Sequence, residues 1–118
     1  MQRKAVIDLG TNTFHLLIVE QDGTILRTLV KVRDYVKLGA DGIHKLSEAA
    51  MERGIRTLAG FAQQLEDYEV EDYRAIGTAA LRTATNTPVF LDRVRQATGL
   101  RIDVISPDRE AELISKGI

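Results

Sequence analysis

The sequence predicts an α/β fold in which one mixed sheet carries helices on both faces. Its first third holds three strand-like segments joined by short turns, a pattern typical of an antiparallel meander. The remainder alternates helix-like and strand-like segments, which is typical of parallel strands linked by crossover helices. A chain of 118 residues suffices for one core and is too short for two ordinary domains, so we predict a single domain over residues 1–118.

The meander is predicted from β-branched and aromatic residues punctuated by turn residues. We expect strands at residues 4–9, 13–20 and 24–34. A Gly-Thr-Asn turn separates the first two strands, and a Gln-Asp-Gly turn separates the second from the third.

A long amphipathic helix should follow Ser47, which is a good N-cap residue. Its apolar residues recur at spacings of three and four: Met51, Ile55, Leu58, Ala62 and Leu65. Beyond it we predict a strand at residues 73–77 and a helical segment at 78–83.

The last third contains two helices with a strand between them. Thr87 is predicted to cap the first helix, with Pro88 at its start, and Gly99 ends it. Its predicted apolar stripe consists of Phe90, Val94 and Ala97. A strand at residues 101–105 follows, and Ser106 and Pro107 begin a helix that we expect to reach Ile118. This order of elements is that of the ribonuclease H-like unit, although order alone also permits other α/β folds.

Composition excludes several classes of chemistry. The chain has no cysteine, so disulfides, thiolate catalysis and cysteine-bound metals are excluded, and a metal here would be oxygen-bound. The formal charge of -1, with both signs interleaved, predicts no general attraction to nucleic acid. Apolar stretches are too short to span a membrane and nothing resembles a secretory signal, so we expect a cytoplasmic protein with no membrane partner.

The segment IDLGTNTFHLL, residues 7–17, is the first candidate site. Gly10 allows backbone N–H groups to converge on an oxyanion, Thr11, Asn12 and Thr13 add donors, and Asp8 is placed to hold Mg²⁺ through water. The alternative is a plain hairpin turn in which Asn12 is left-handed and Asp8 satisfies the turn backbone.

Two further segments carry polar residues where α/β folds bind ligands. Thr78 and Arg82 lie four residues apart at the start of a helix that follows a strand, where anions are favoured; alternatively they are an N-cap and a solvated side chain. Glu110 shares the apolar side of the last helix with Leu113, Ile114 and Gly117, whereas Arg109, Glu112 and Lys116 form a wet face. A carboxylate there is either a general base with a raised pKa or a boundary residue paired with an arginine. His15 and His44 are expected to be structural or exposed.

Together, the blocks VIDLGTNTFH, GTAALR and ISPDREA resemble, in this order, the Ppx/GppA family, the exopolyphosphatases and guanosine pentaphosphate phosphatases of bacteria. The resemblance implies a ribonuclease H-like domain of the actin and sugar-kinase superfamily. It also implies hydrolysis with Mg²⁺, releasing orthophosphate from polyphosphate or converting pppGpp to ppGpp.

The resemblance assigns a role to each candidate residue. Gly10, Thr11, Asn12 and Thr13 match a phosphate-binding loop, and Asp8 lies near the Mg²⁺ site. Arg82 matches a phosphate-binding arginine with Thr78 beside it, and Glu110 matches the base that activates water.

The chain departs from the family pattern in two respects. Pro107 and Arg109 replace a glycine and a glutamate, and Arg109 could lower the pKa of Glu110. The family also continues into a second domain with another phosphate loop, which these residues lack. We therefore expect an N-terminal domain that is inactive alone, partners the rest of a longer enzyme, and could form a homodimer through uncovered apolar surface.

Two other functions remain open from the sequence. One is an acetate- or sugar-kinase-like phosphotransferase, which would need ADP and a second substrate. The other is a non-catalytic sensor that binds polyphosphate or pppGpp.

Overall fold

The computed structural model of the protein describes residues 1–115. Five strands form one sheet in the order β3-β2-β1-β4-β5. They span β1 Gln2–Leu9, β2 Phe14–Asp22, β3 Ile25–Asp34, β4 Asp72–Gly77 and β5 Asp103–Val104. The first three pair antiparallel, and β4 lies parallel to both β1 and β5. The predicted meander with added parallel strands is confirmed, although β5 has only 2 residues instead of the expected five.

Four helices connect and follow these strands: α1 Glu48–Asp67, α2 Ala79–Thr83, α3 Thr87–Thr98 and α4 Pro107–Ser115. The predicted caps at Ser47, Gly99 and Ser106 are local features of the chain and are confirmed, whereas the predicted Thr87 cap is wrong, because Asn86 occupies the N-cap position of α3 and Thr87 is its first helical residue. Ser47 Oγ accepts from the N–H of Ala50 at 3.1 Å, Gly99 ends α3 in a left-handed conformation with φ 77°, and Ser106 Oγ accepts from the N–H of Arg109 at 3.1 Å. The predicted continuation of α4 to Ile118, with Lys116 and Gly117, lies outside the described residues.

The main core lies between one face of the sheet and the helices α1 and α3. Alternate residues of β1 and β2 point into it because side chains along a strand alternate between faces. The buried apolar residues of these two strands are Ala5, Ile7, Leu9, Phe14, Leu16 and Ile18. The ring of Phe90 would lie 3.0 Å from a Cβ added at Gly54, so the missing side chain at Gly54 allows α1 and α3 to approach closely.

One detail of the predicted core is wrong. In α1 the predicted stripe is confirmed, since Met51, Leu58 and Leu65 are buried and Ile55 and Ala62 are half-buried and pack against the core. In α3, Ala97 is exposed; Leu100, which follows the left-handed turn at Gly99, is buried.

The helix α4 covers the opposite face of the sheet. Asp8 and Ile76 are aligned in neighbouring parallel strands and therefore point to the same face. Ile76 packs with Ile105 and with Leu113 of α4. Helices thus lie on both faces, as predicted, and α4 lies on the same face as Asp8. No helix within residues 1–115 combines the length and the apolar character needed to cross a membrane.

Candidate active site

Three parallel strands end at one edge of the sheet; Asp8 lies near the end of β1, and the other candidate residues lie in the segments that follow the three strands. Leu9 is aligned with Gly77, and Gly77 with Val104. The segments after these strands hold residues 10–13, 78–82 and 106–110. Carboxyl ends of parallel strands are the usual ligand-binding edge of an α/β sheet.

The loop of residues 10–13 is closed by one hydrogen bond and fastened by two others. The N–H of Gly10 donates to Thr13 O at 3.0 Å. The carbonyls of Thr11 and Asn12 accept from Gly39 and Lys37, at 3.1 and 2.9 Å. Within residues 1–115, the N–H groups of Thr11, Asn12 and Thr13 donate no hydrogen bond, so they are available to an anion.

The plain hairpin alternative fails in two respects. Asn12 does not adopt the left-handed conformation. Asp8 does not satisfy the turn backbone, because its Oδ1 atom is buried without a hydrogen-bond partner in the described part of the chain. A buried acceptor without a partner is unusual and calls for an explanation.

The pKa of Asp8 is affected by its own burial and by two neighbouring side chains, His15 and Glu110. Burial raises the pKa of this carboxyl, the positive charge of His15 on the neighbouring strand lowers it, and the negative charge of Glu110 raises it. His15 therefore contributes to the site electrostatically, which its placement on a strand did not indicate. His44, in contrast, is exposed, as expected.

Asp8 is the residue at this site that could bind Mg²⁺. Its unpartnered Oδ1 is the hard oxygen ligand that Mg²⁺ prefers. No cluster of three or more acidic or histidine ligands occurs among residues 1–115. Because Mg²⁺ is commonly held by one or two carboxylates plus water and substrate phosphate, a single carboxylate is compatible with it.

Thr78 joins the ends of two strands. It occupies the N-cap position of α2, but its hydroxyl makes no capping bond. Its N–H and its Oγ1 both donate to Leu9 O, at 3.2 and 3.3 Å. In this conformation Thr78 places the start of α2 beside the loop of residues 10–13, and its contact with phosphate stays a prediction.

Arg82 and Glu110 form an ion pair across the site. Arg82 Nη1 lies 3.0 Å from Glu110 Oε1 and donates to Ile105 O at 2.9 Å. Arg82 is therefore not a freely solvated side chain. Glu110 is paired with an arginine, which was one of the two alternatives for it, and the pairing places both side chains at the candidate site.

Arg109, the residue that departs from the family pattern, is directed elsewhere. Its Nη1 atom lies 2.9 Å from Oε1 of Glu112 on the wet face of α4. Lys116, also predicted on that face, lies outside the described residues. The guanidinium of Arg109 is thus bound by Glu112, whereas Glu110 pairs with Arg82.

The sequence did not indicate that residues 36–39 support the loop of residues 10–13. Lys37 and Gly39 donate hydrogen bonds to that loop, and Arg53 of α1 in turn donates to the carbonyls of Val36 and Lys37. A signal was present in Gly39, since a glycine in an irregular segment often marks a close backbone approach. A Cβ added there would lie 2.8 Å from Thr11 Cγ2.

The fold and this edge define a ribonuclease H-like α/β domain with its polar groups gathered at the carboxyl ends of β1, β4 and β5. Residues 17–118 match the profile of the Ppx/GppA phosphatase family. The chain therefore belongs to the Ppx/GppA phosphatase family. The matched range begins after the loop of residues 10–13.

Individual relatives extend the similarity across that loop. The chain is 43% identical over 116 residues to a guanosine-5'-triphosphate,3'-diphosphate pyrophosphatase of Photobacterium profundum, covering 97% of this chain and 23% of the relative. Among solved structures, an exopolyphosphatase from Cytophaga hutchinsonii superposes with a TM-score of 0.93 at 41% identity, covering 95% of this chain and 36% of that one. The Aquifex aeolicus PPX-GPPA enzyme gives a TM-score of 0.87 at 31% identity, covering 92% and 37%. The chain thus spans about a quarter of the curated relatives' length.

Proposed function

We propose that this chain is the N-terminal domain of a phosphoanhydride hydrolase. The enzyme would release terminal orthophosphate from polyphosphate, or convert pppGpp to ppGpp. The observation that carries the proposal is the Arg82–Glu110 pair. It lies at the same edge as Asp8 Oδ1 and the N–H groups of residues 11–13, which have no hydrogen-bond partner within residues 1–115. The guanidinium of Arg82 and the N–H groups of the loop can stabilise phosphate oxygens, and the carboxylates of Glu110 and Asp8 can serve as base and metal ligand. Phosphoryl transfer to water uses groups of these kinds.

The chemistry follows from what each group can donate or accept. The N–H groups of residues 11–13 and the guanidinium of Arg82 donate to anionic phosphate oxygens. When Arg82 turns to the phosphate, Glu110 loses its partner and its carboxylate accepts a proton from the attacking water. Mg²⁺ held through Asp8 would neutralise negative charge on the phosphate oxygens. The proton of water passes to Glu110, and the bond to the leaving phosphate breaks as the new P–O bond forms.

The similarity to named enzymes supports this class of substrate. One relative is named as a guanosine-5'-triphosphate,3'-diphosphate pyrophosphatase and one structural neighbour as an exopolyphosphatase. The substrates in these two names, a guanosine 5'-triphosphate,3'-diphosphate and a polyphosphate, each present a terminal phosphoryl group. This chain covers only 23% of the first protein and 36% of the second. We therefore propose that further domains complete the phosphate-binding site and that the isolated domain is inactive.

The test is phosphate release by the full-length protein in ¹⁸O-labelled water with Mg²⁺ and either polyphosphate or pppGpp. Hydrolysis predicts orthophosphate that carries oxygen from water, and residues 1–118 alone should release little or none. In a parallel reaction with added ADP, formation of ATP without labelled orthophosphate would instead identify a kinase-like phosphotransferase. Substrate binding without any phosphate release would identify a sensor. Full activity of the isolated domain would refute the need for a second phosphate loop.

A further inference from the structure

We propose that the half-buried Arg53 is a positioning residue that presets the anion-binding loop, although it lies on a helix whose buried residues serve the core. This role rests on the proposed function of the loop of residues 10–13. Arg53 contacts no residue of that loop directly. It acts through residues 36–39, called here the support loop.

Arg53 holds the support loop from the helix side. Its Nε donates to Val36 O at 2.8 Å, and its Nη2 donates to Lys37 O at 2.9 Å. A planar guanidinium can bind two neighbouring carbonyls at once, whereas a lysine ammonium lacks that fixed fork. Lys37 has a φ of 53°, a conformation that a residue with a side chain rarely adopts without surrounding contacts that hold it.

The support loop in turn holds the anion-binding loop. The N–H of Lys37 donates to Asn12 O at 2.9 Å, and the N–H of Gly39 donates to Thr11 O at 3.1 Å. The missing side chain at Gly39 permits this approach, since a Cβ there would lie 2.8 Å from Thr11 Cγ2.

Because peptide units are planar, the two hydrogen bonds from the support loop also fix the direction of the N–H groups of Asn12 and Thr13. In a trans peptide the C=O of one residue and the N–H of the next are coplanar and point in opposite directions. The carbonyls of Thr11 and Asn12 point at the support loop, so the N–H groups of Asn12 and Thr13 point away from it. Fixing the two carbonyls therefore aims two free donors before any anion arrives, which lowers the entropic cost of binding.

The test compares Arg53→Ala and Arg53→Lys with the matched control Arg56→Ala, an exposed arginine on the same helix, in the full-length protein. Loss of a charge-assisted bond predicts that Arg53→Ala raises KM for polyphosphate or pppGpp by about tenfold or more, with a smaller change in kcat. The KM of Arg53→Lys should lie between that of Arg53→Ala and that of the wild type. Added guanidinium should restore the KM of Arg53→Ala, and Arg56→Ala should resemble the wild type. An unchanged KM, or an equal rise in the control, overturns the proposal.

Amide hydrogen exchange supplies a readout that needs no substrate. Arg53→Ala should reduce protection of the Lys37 and Gly39 amides by about tenfold, because their bonds to the anion-binding loop open more often. If the wild type hydrolyses neither substrate, the proposed function fails, and exchange at these amides still decides the positioning role. Unchanged protection in both variants overturns it. If Arg53→Ala does not fold, Arg53→Lys carries both measurements.

Discussion

Replacing Asp8 with asparagine should stabilise residues 1–118 at neutral pH in the absence of Mg²⁺. Oδ1 of Asp8 is a buried acceptor without a partner in the described chain, and burial raises the pKa of the carboxyl in spite of the offsetting charge of His15. A neutral amide of the same shape removes the buried charge but still leaves a polar atom at this position, so only the extra cost of burying a charge is recovered. Hydrogen bonds to charged groups are worth about 1.5–3 kcal/mol and those between neutral groups about 0.5–1.5 kcal/mol, so we expect a gain of about 1–2 kcal/mol.

The gain should depend on pH in a defined direction. The folded-state pKa of Asp8 is raised above its unfolded value, so the wild type suffers no penalty below the unfolded pKa. The penalty develops as pH rises through the folded pKa. The stability advantage of Asp8→Asn should therefore be small in acid and grow towards neutral pH.

Thermal unfolding followed by circular dichroism measures this effect. At this chain length, 1–2 kcal/mol corresponds to a rise in Tm of about 3–12 °C. The control is Asp72→Asn, an exposed aspartate on the adjacent strand, which should change stability by less than about 0.5 kcal/mol. Mg²⁺ should raise the Tm of the wild type and leave that of Asp8→Asn unchanged. A lower Tm for Asp8→Asn at neutral pH, or an equal response of both proteins to Mg²⁺, would refute the reasoning.

Two further predictions concern the neighbouring strand end and the ion pair. Gly77→Ala should lower the free energy of unfolding by about 1–3 kcal/mol in denaturant, because its Cβ would lie 2.5 Å from Cδ1 of Leu81, whose buried side chain has little room to move away. Gly60→Ala, where a Cβ meets nothing within 4 Å, should instead stabilise by about 0.5–1 kcal/mol, and equal effects of the two substitutions would contradict this. Arg82→Lys in the full-length protein should raise KM by about tenfold, since lysine loses the forked contact with phosphate; an unchanged KM would remove Arg82 from substrate binding, leaving only its pairing with Glu110.

The fold could be predicted from the sequence wherever local chemistry determines structure. Ser47 as a cap and Gly99 as a stop depend on a few adjacent residues, so their positions were correct. The burial of Ala97 was wrong because helical periodicity shows which side chains share a face but not how far the neighbouring element extends. The strand β5 is shorter than expected because it pairs with β4 only through Asp103 and Val104, and pairing depends on the partner strand.

For the candidate site, the sequence indicated that the candidate residues would lie at one end of the sheet, but not how their side chains would pair. Asp8 lies near the end of β1, the segments containing Arg82 and Glu110 each follow a strand, and parallel strands bring their carboxyl ends together. That Arg82 would pair with Glu110 could not be read from periodicity, because the two residues are 28 positions apart and meet through tertiary packing. The contribution of Arg53 was missed for the same reason, since it depends on carbonyls 16 and 17 residues away.

The most direct test of the proposed mechanism is Glu110→Gln in the full-length protein, measured as phosphate release and as substrate binding in parallel. Loss of a general base predicts that phosphate release falls by about 10²–10⁴-fold. Binding of polyphosphate or pppGpp should be retained or strengthened, because Arg82 no longer pairs with a carboxylate. Unchanged phosphate release would contradict the assignment of Glu110 as the base that activates water.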